Sequence, residues 1–156
     1  MELDTLYQEV ILDHYKHPLN KGLSGTYDVQ VHHINPSCGD EITLNLTVRE
    51  SKIQSITWDG VGCSISQASV SIVSDLLLDK SLDEAGAITE QFIELMHSKG
   101  TKEGDPLVLE DAVAMAGVSK FPARIKCALL GWMAYRDAAD RIKQSQDSVD
   151  ERGGSQ

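Results

Sequence analysis

The apolar period changes along the chain, and each change marks an element. Leu3, Leu6, Tyr7, Val10, Ile11 and His14 recur at the spacing of one helical face. They predict a first helix to about Tyr15, closed by Pro18 and Lys21-Gly22. From Tyr27 to Asn35 and from Glu41 to Arg49 the period falls to two. Ile42, Leu44, Leu46 and Val48 alternate with Glu41, Thr43, Asn45, Thr47 and Arg49, as residues do on a strand with one buried face. A third strand over Ile53 to Asp59 follows Glu50-Ser51-Lys52, which is short enough for a hairpin connection. An antiparallel meander is therefore the economical arrangement.

Gly60-Val61-Gly62 breaks that strand, and Ile65, Ala68, Ser69, Ile72, Val73, Leu76 and Leu77 return to helical spacing. Ser81 with Glu84 three residues on is a capping-box signature for a further helix, whose face is Leu82, Ala85, Ile88, Phe92, Leu95 and Met96 and which ends near Gly100. Lys99 to Pro106 is polar and loop-like. A short helix is expected over Glu110 to Ala116 with Gly117 as its stop, and Pro122 suits the first turn of a final helix carrying Cys127. After about Arg141 the chain has too little apolar content to offset the entropy of ordering it. We therefore expect a domain over residues 1–142 and a polar, flexible tail over 143–156. Helices before and after a small three-stranded antiparallel sheet make an α+β fold.

Composition narrows the function. A chain of 156 residues fits one domain and buries roughly two-thirds of its unfolded surface. No apolar run reaches the ~18–20 residues of a membrane span, and the chain opens on acids rather than a basic leader, so a soluble cytoplasmic protein is expected. Fourteen Lys and Arg against 24 Asp and Glu give a net charge of −10. Phosphate backbones and anionic lipid are repelled by such a surface, which argues against nucleic-acid and membrane partners. Three cysteines cannot all pair within one chain. In a reducing compartment they leave three readings: inert buried thiols, a metal site, or reactive sulfur.

Asn35-Pro36-Ser37-Cys38-Gly39-Asp40 sets a thiol and a carboxylate two residues apart around a glycine, in a turn between strands. Both can face one point, and thiolate and carboxylate are acceptable together in a tetrahedral zinc shell. A turn aspartate bonded to its own backbone is the plainer alternative. Cys63 precedes a helical run, near the positive end of a helix dipole that favours negative charge on sulfur; equally, cysteine is a small, commonly buried apolar residue. Cys127 has Arg124 three residues back on the same helical face and Lys126 beside it. A cation there favours thiolate, although Arg124 could as well be a solvated side chain with its stem packed on the helix. No paired Cys spacing of the zinc-finger kind is present, so any metal site would be assembled by the fold. The histidines supply no ligand pair: His32 and His33 are adjacent in a strand and face opposite sides, and His14, His17 and His97 lie on or beside helices. Structural or solvated roles are expected for all of them.

The chain resembles the SufU-type members of the IscU-like sulfur carrier and scaffold proteins. The resemblance is carried by Leu3-Asp4-Thr5-Leu6-Tyr7, Asp13-His14-Tyr15-Lys16-His17-Pro18, the Cys38-Gly39-Asp40 turn, Gly62-Cys63-Ser64-Ile65-Ser66 and Phe121-Pro122-Ala123-Arg124-Ile125-Lys126-Cys127. IscU-type members carry a histidine immediately before the last cysteine and a shorter interval between the second and third. Here Lys126 stands at that position and 63 residues intervene, which is similar to the SufU pattern. Val118-Ser119-Lys120-Phe121-Pro122 replaces the Leu-Pro-Pro-Val-Lys run that a dedicated chaperone handles, so the resemblance does not carry that partner over.

The resemblance implies that Cys38, Asp40, Cys63 and Cys127 bind one zinc ion. It also implies a sulfurtransferase-like carrier that takes persulfide sulfur from a SufS-type cysteine desulfurase on Cys38 and passes it to downstream iron–sulfur assembly machinery. Arg124 would tune the site or meet the partner. The alternative is a scaffold on which the same residues hold iron or an iron–sulfur cluster, since thiolates suit either metal. A hydrolytic zinc enzyme is disfavoured because four protein ligands leave no position for water.

Overall fold

The computed structural model describes residues 5–37 and 39–154. Helix α1 (Thr5–Lys16) precedes an antiparallel sheet of β1 (Val29–Asn35), β2 (Asp40–Arg49) and β3 (Lys52–Val61), ordered β1-β2-β3. Then come α2 (Ser64–Leu76), α3 (Leu82–Met96), the single-turn α4 (Pro106–Leu109), a 3₁₀ helix (Glu110–Lys120) and α5 (Pro122–Gly154). This is the α+β arrangement that the alternation and helical spacing predict.

The sheet is built by one-sided burial. Ile42, Leu44 and Leu46 are wholly buried, with Val31, Ile56 and Trp58 beside them, while Glu41 points to solvent. The register sets Leu44 between Val31 and Trp58. Each such aliphatic side chain contributes about 1.5–3 kcal/mol when buried. A slip of one residue would turn the whole row outward, so the register is strongly fixed. Helix α5 crosses β1 and β2, and α2 lies against both α5 and β3. The α2–α5 crossing is close because Gly131 has no side chain: a Cβ there would sit 2.7 Å from the Cβ of Val70. Beside it, Ser69 Oγ donates to the Ala128 carbonyl (2.6 Å) and accepts from the Trp132 indole N–H (3.1 Å). Trp132 in turn stacks on Phe92 of α3.

His14 ties α1 to this frame. Its Nδ1 lies 2.8 Å from Ser71 Oγ and its Nε2 2.9 Å from Asp111 Oδ2, joining α1, α2 and the 3₁₀ helix. The order serine–histidine–aspartate has the look of a nucleophile relay, but Ser71 is wholly buried and its Oγ already accepts the Leu19 N–H at 2.8 Å. It is a strut. On the other side, His33 Nε2 meets Asp137 Oδ2 at 2.9 Å and pins α5 to β1. The His33 bond and the Arg141 guanidinium hold the Asp137 carboxyl below its ordinary range. The stabilisation it gives is therefore present above the unfolded carboxylate pKa and is lost as pH falls through the depressed value.

The helix ends are partly as the sequence signals them. Ser81 and Glu84 form the full capping box, Glu84 N–H to Ser81 Oγ at 3.1 Å and Ser81 N–H to Glu84 Oε1 at 3.2 Å. The stretch from Lys99 to Asp105 is irregular, as its polarity predicts, and leads into α4, capped by Asp105, whose carboxylate accepts the Leu107 N–H at 2.9 Å. Two expectations are corrected. Strand β3 does not break at Gly60 but runs on to Val61, with Gly60 and Val61 paired to Ile42 and Glu41 of β2. The segment after Glu110 is a 3₁₀ helix that does not stop at Gly117 but runs on to Lys120. Val118 and Ser119 are buried there, and Ser119 Oγ both donates to the Ala116 carbonyl and accepts the Gly100 N–H. Tertiary burial carries the chain past a residue that would end an isolated helix. The backbone of α5 also stays helical beyond residue 142, where composition marks the start of the polar tail.

Arg49 pairs with Lys52, so β2 and β3 are joined by the two residues Glu50 and Ser51, with φ of 54° and 65°. Left-handed backbone at both positions is the hairpin turn whose twist matches the strands, and it favours Asn-Gly. L-residues there carry about 1–2 kcal/mol of strain each. The double substitution Glu50→Asn, Ser51→Gly should therefore raise stability by about 1 kcal/mol, read as a higher urea midpoint with an unchanged slope.

Candidate metal and sulfur site

At one end of the sheet, three elements deliver one ligand atom each. Asp40 opens β2, Cys63 sits at the N-cap of α2 immediately after β3, and Cys127 lies in the second turn of α5. A carboxylate oxygen of Asp40 and the sulfurs of Cys63 and Cys127 all lie within 4.8 Å of one another. Tetrahedral zinc with Zn–S of ~2.3 Å needs its sulfurs about 3.8 Å apart. The side chains are thus within about 1 Å of closing on an ion. Asp40 and Cys127 are buried and Cys63 half-buried, and neither of these cysteines is in a disulfide. Cys38 lies outside the described residues.

Asp40 explains why the site is where it is. It is 0% exposed, its Oδ1 accepts the Cys63 N–H at 3.0 Å, and its Oδ2 is buried with no hydrogen-bond partner. The first bond places a carboxylate on the N-terminus of α2, where the helix dipole favours negative charge. The second oxygen is an uncompensated buried acceptor, which is costly unless something positive meets it. A cation between Asp40, Cys63 and Cys127 fits that vacancy in the bonding, and a carboxylate with two thiolates suits zinc or iron.

Gly62 makes room for this. A side chain at that position would run into Asp40 Oδ1 and lie 2.5 Å from Ser66 Oγ. Neither neighbour can yield cheaply, since Asp40 holds the Cys63 N–H and Ser66 Oγ donates to the Cys63 carbonyl at 3.1 Å. Two further buried groups stand nearby. Asn35 faces Asp40 across the β1–β2 register, and Gln67 follows Cys63 by one helical turn; the Nδ2 of one and the Nε2 of the other have no partner. The sequence reading passed over both, although Asn35 opens the very motif that contains Cys38. Arg124 is exposed at the start of α5, one turn before Cys127. His32 and His33 meet Glu41 and Asp137 instead of the ligand cluster.

The outer surface at this end of the sheet is partly apolar. Ile34, Glu41 and Val61 form one row across the three strands at this end of the sheet, on the outer face opposite the Asp40 side chain, and Ile34 and Val61 are 57% and 62% exposed. Phe121, next to Pro122 at the start of α5, is also exposed.

A small α+β domain whose sheet end gathers two cysteine sulfurs and a buried carboxylate has the makings of a metal-binding site. The chain belongs to the family described as NifU-like N terminal domain, whose model matches residues 6–128. It is 42% identical over 132 residues to the zinc-dependent sulfurtransferase SufU of Bacillus subtilis (strain 168), covering 85% of this chain and 88% of that one. It is 40% identical over 151 residues to the iron-sulfur cluster assembly scaffold protein IscU of Streptococcus pyogenes serotype M1, covering 96% and 92%. Among solved structures it is similar to a putative iron-sulfur cluster assembly scaffold protein for the SUF system from Fervidobacterium islandicum AW-1. The TM-score there is 0.74 at 31% identity, over 84% of this chain and 94% of that one. No helix among the described residues is long and apolar enough to cross a membrane.

Gly62→Ala should displace Asp40 or Ser66 and weaken metal binding by about tenfold or more, the usual cost of disturbing groups that hold ligands. Competition with a chromophoric chelator reads this directly.

Proposed function

We propose that this protein is a zinc-dependent sulfur carrier for cytoplasmic iron–sulfur cluster assembly, accepting persulfide sulfur from a SufS-type cysteine desulfurase and handing it to downstream assembly machinery. The observation that carries the reading is the convergence of Asp40, Cys63 and Cys127 on one point, with the buried Oδ2 of Asp40 left unbonded. Family membership and the sulfurtransferase relative support it. The exposed Ile34 and Val61, on the outer face at the same end of the sheet, suit a protein partner better than a small solute.

In this reading Cys38, Asp40, Cys63 and Cys127 hold the ion. Bound zinc would supply a Lewis acid that keeps the thiolates deprotonated and tolerates exchange of a ligand. Cys38 is the acceptor. Its thiolate attacks the outer sulfur of the desulfurase persulfide, the sulfur–sulfur bond breaks, and the desulfurase cysteine leaves as thiolate while Cys38 becomes the persulfide. Asp40, Cys63 and Cys127 are fixed by a strand and two helix starts, which would let them hold the ion while Cys38 reacts. Gly39 beside Cys38 has a φ of 71°, left-handed backbone that glycine adopts without strain. That freedom suits a residue that must move. Arg124, on the exposed face next to Cys127, would steer the incoming persulfide or its partner.

A second reading is favoured by the 40% identical relative named as a scaffold. In it the same residues carry an iron–sulfur cluster built on the protein. Anaerobic reconstitution with iron and sulfide, followed by transfer to an apo-ferredoxin, separates the two; a carrier builds no transferable cluster.

The isolated protein should contain about one zinc per chain, and stripping it with a strong chelator should lower the melting temperature, because binding free energy in such sites is partly folding free energy. Elemental analysis showing no zinc in carefully prepared protein would sink the zinc reading. Cys38→Ser should abolish persulfide acceptance, and peptide mapping after one turnover of the wild type should place the extra sulfur on Cys38. Extra sulfur found first on Cys127, with the Cys38 variant still active, would overturn the assignment. Arg124→Ala should keep fold and zinc but slow sulfur acceptance; a wild-type rate would return it to the surface.

A further inference from the structure

Among the described residues, the buried side-chain atoms without a hydrogen-bond partner are Asn35 Nδ2, Asp40 Oδ2, Gln67 Nε2 and Tyr135 Oη. The first three share one neighbourhood. Asn35 and Asp40 are directly opposed in the β1–β2 register, so their side chains leave the same face with Cβ atoms about 4.5–5.5 Å apart. The amide of Asn35 is oriented, since its Oδ1 accepts the Ser37 N–H at 3.3 Å and the NH₂ end is the one left over. Gln67 comes one turn after Cys63, whose carbonyl accepts the Gln67 N–H at 3.1 Å. A helical side chain leans toward the N-terminus of its own helix, over the residue four before. Gln67 therefore leans toward Cys63. The α2–α5 crossing, with Gly131 on Val70 and Ala128 on Ser69, also puts Gln67 one turn nearer the level of Cys127. Asn35 is 7% and Gln67 5% exposed, so water does not satisfy their amides by simple exposure.

Buried donors and a buried acceptor left idle around one point are complementary to a charged group that belongs there. The cation answers Asp40 Oδ2. It does not answer two N–H donors. A divalent ion held by a carboxylate and thiolates keeps net negative charge on its sulfurs once more than two anions bind. Buried negative charge needs hydrogen-bond donors, and neutral amides supply them without adding charge.

We propose that the side-chain amides of Asn35 and Gln67 donate hydrogen bonds to the anionic ligands of the loaded centre, Gln67 to the Cys63 and Cys127 sulfurs and Asn35 to the Asp40 side of the site. They position those ligands and set how tightly the metal is kept. This rests on the reading of the site as a metal–thiolate centre. Both are positioning residues that act through the ligands.

The test uses the full chain loaded with zinc, and separately with Co(II) as a spectroscopic probe. Gln67→Met keeps the length of the side chain and removes the donor; Asn35→Ala removes the second donor. Each should lower zinc affinity about tenfold or more in chelator competition. Gln67→Met should also move the sulfur-to-Co(II) charge-transfer band to lower energy and leave the metal-free melting temperature unchanged. Wild-type affinity with an unshifted band in Gln67→Met, even if Asn35→Ala fails to fold, overturns the proposal. So does a variant that melts lower without metal yet binds zinc as the wild type does, because that is packing alone. Wild-type protein that takes up neither ion fails at the earlier step and overturns the site reading itself, whereas a loaded wild type matched by its variants overturns only the role of the two amides.

Discussion

The bond from the Cys63 N–H to Asp40 Oδ1 (3.0 Å) is the constraint on which the rest of the site depends. It joins the first residue of β2, which is wholly buried, to the junction between β3 and α2. A carboxylate there is costly in isolation. It is tolerated because one oxygen accepts the Cys63 N–H at the start of α2 and the carboxylate lies beside the two cysteine sulfurs. The fold then has to keep every neighbour out of the way: Gly62 by having no side chain, Ser66 by turning its hydroxyl onto the Cys63 carbonyl.

The same economy runs through the helices. Helix α2 is buried on nearly every side, yet it carries Ser66, Ser69, Ser71 and Ser74. Each of these hydroxyls has a specified partner: Ser66 donates to the Cys63 carbonyl, Ser69 meets α5, Ser71 meets His14 and the Leu19 amide, and Ser74 donates to the Ser71 carbonyl. Small hydroxyls let α5 approach closely while still satisfying polar groups at the crossing. The frame around the cysteines is therefore held by directional bonds as well as by apolar packing, and this gives the ligands little freedom to drift.

How much of this is legible from sequence differs by element. The strict alternation of Ile42, Leu44 and Leu46 names a one-faced strand, and Ser81 with Glu84 names a helix start to the residue, because both signals are local. The 3₁₀ run through Gly117 is not legible, since its cause is burial of Val118 and Ser119 against elements distant in sequence. Cys63, Cys127 and Asp40 can be named as candidates from their flanking residues and from a family resemblance. That Asp40 is buried with one idle oxygen depends on the register of three strands and on the docking of α2. Gln67 carries no local mark at all, since its unpartnered amide exists only once α2 is packed.

The crossing at Gly131 and Val70 has a consequence in time. Asp40 and Cys63 are neighbours as soon as the sheet and the start of α2 form, which needs only the first half of the chain. Cys127 arrives with the last helix, and only when α5 settles closely enough onto α2 for Gly131 to sit against Val70. A nascent chain still on the ribosome therefore presents an incomplete set of candidate ligands. For the metal centre proposed above, full retention of an ion would then report that synthesis and docking have both finished, and a half-made copy would compete poorly for metal.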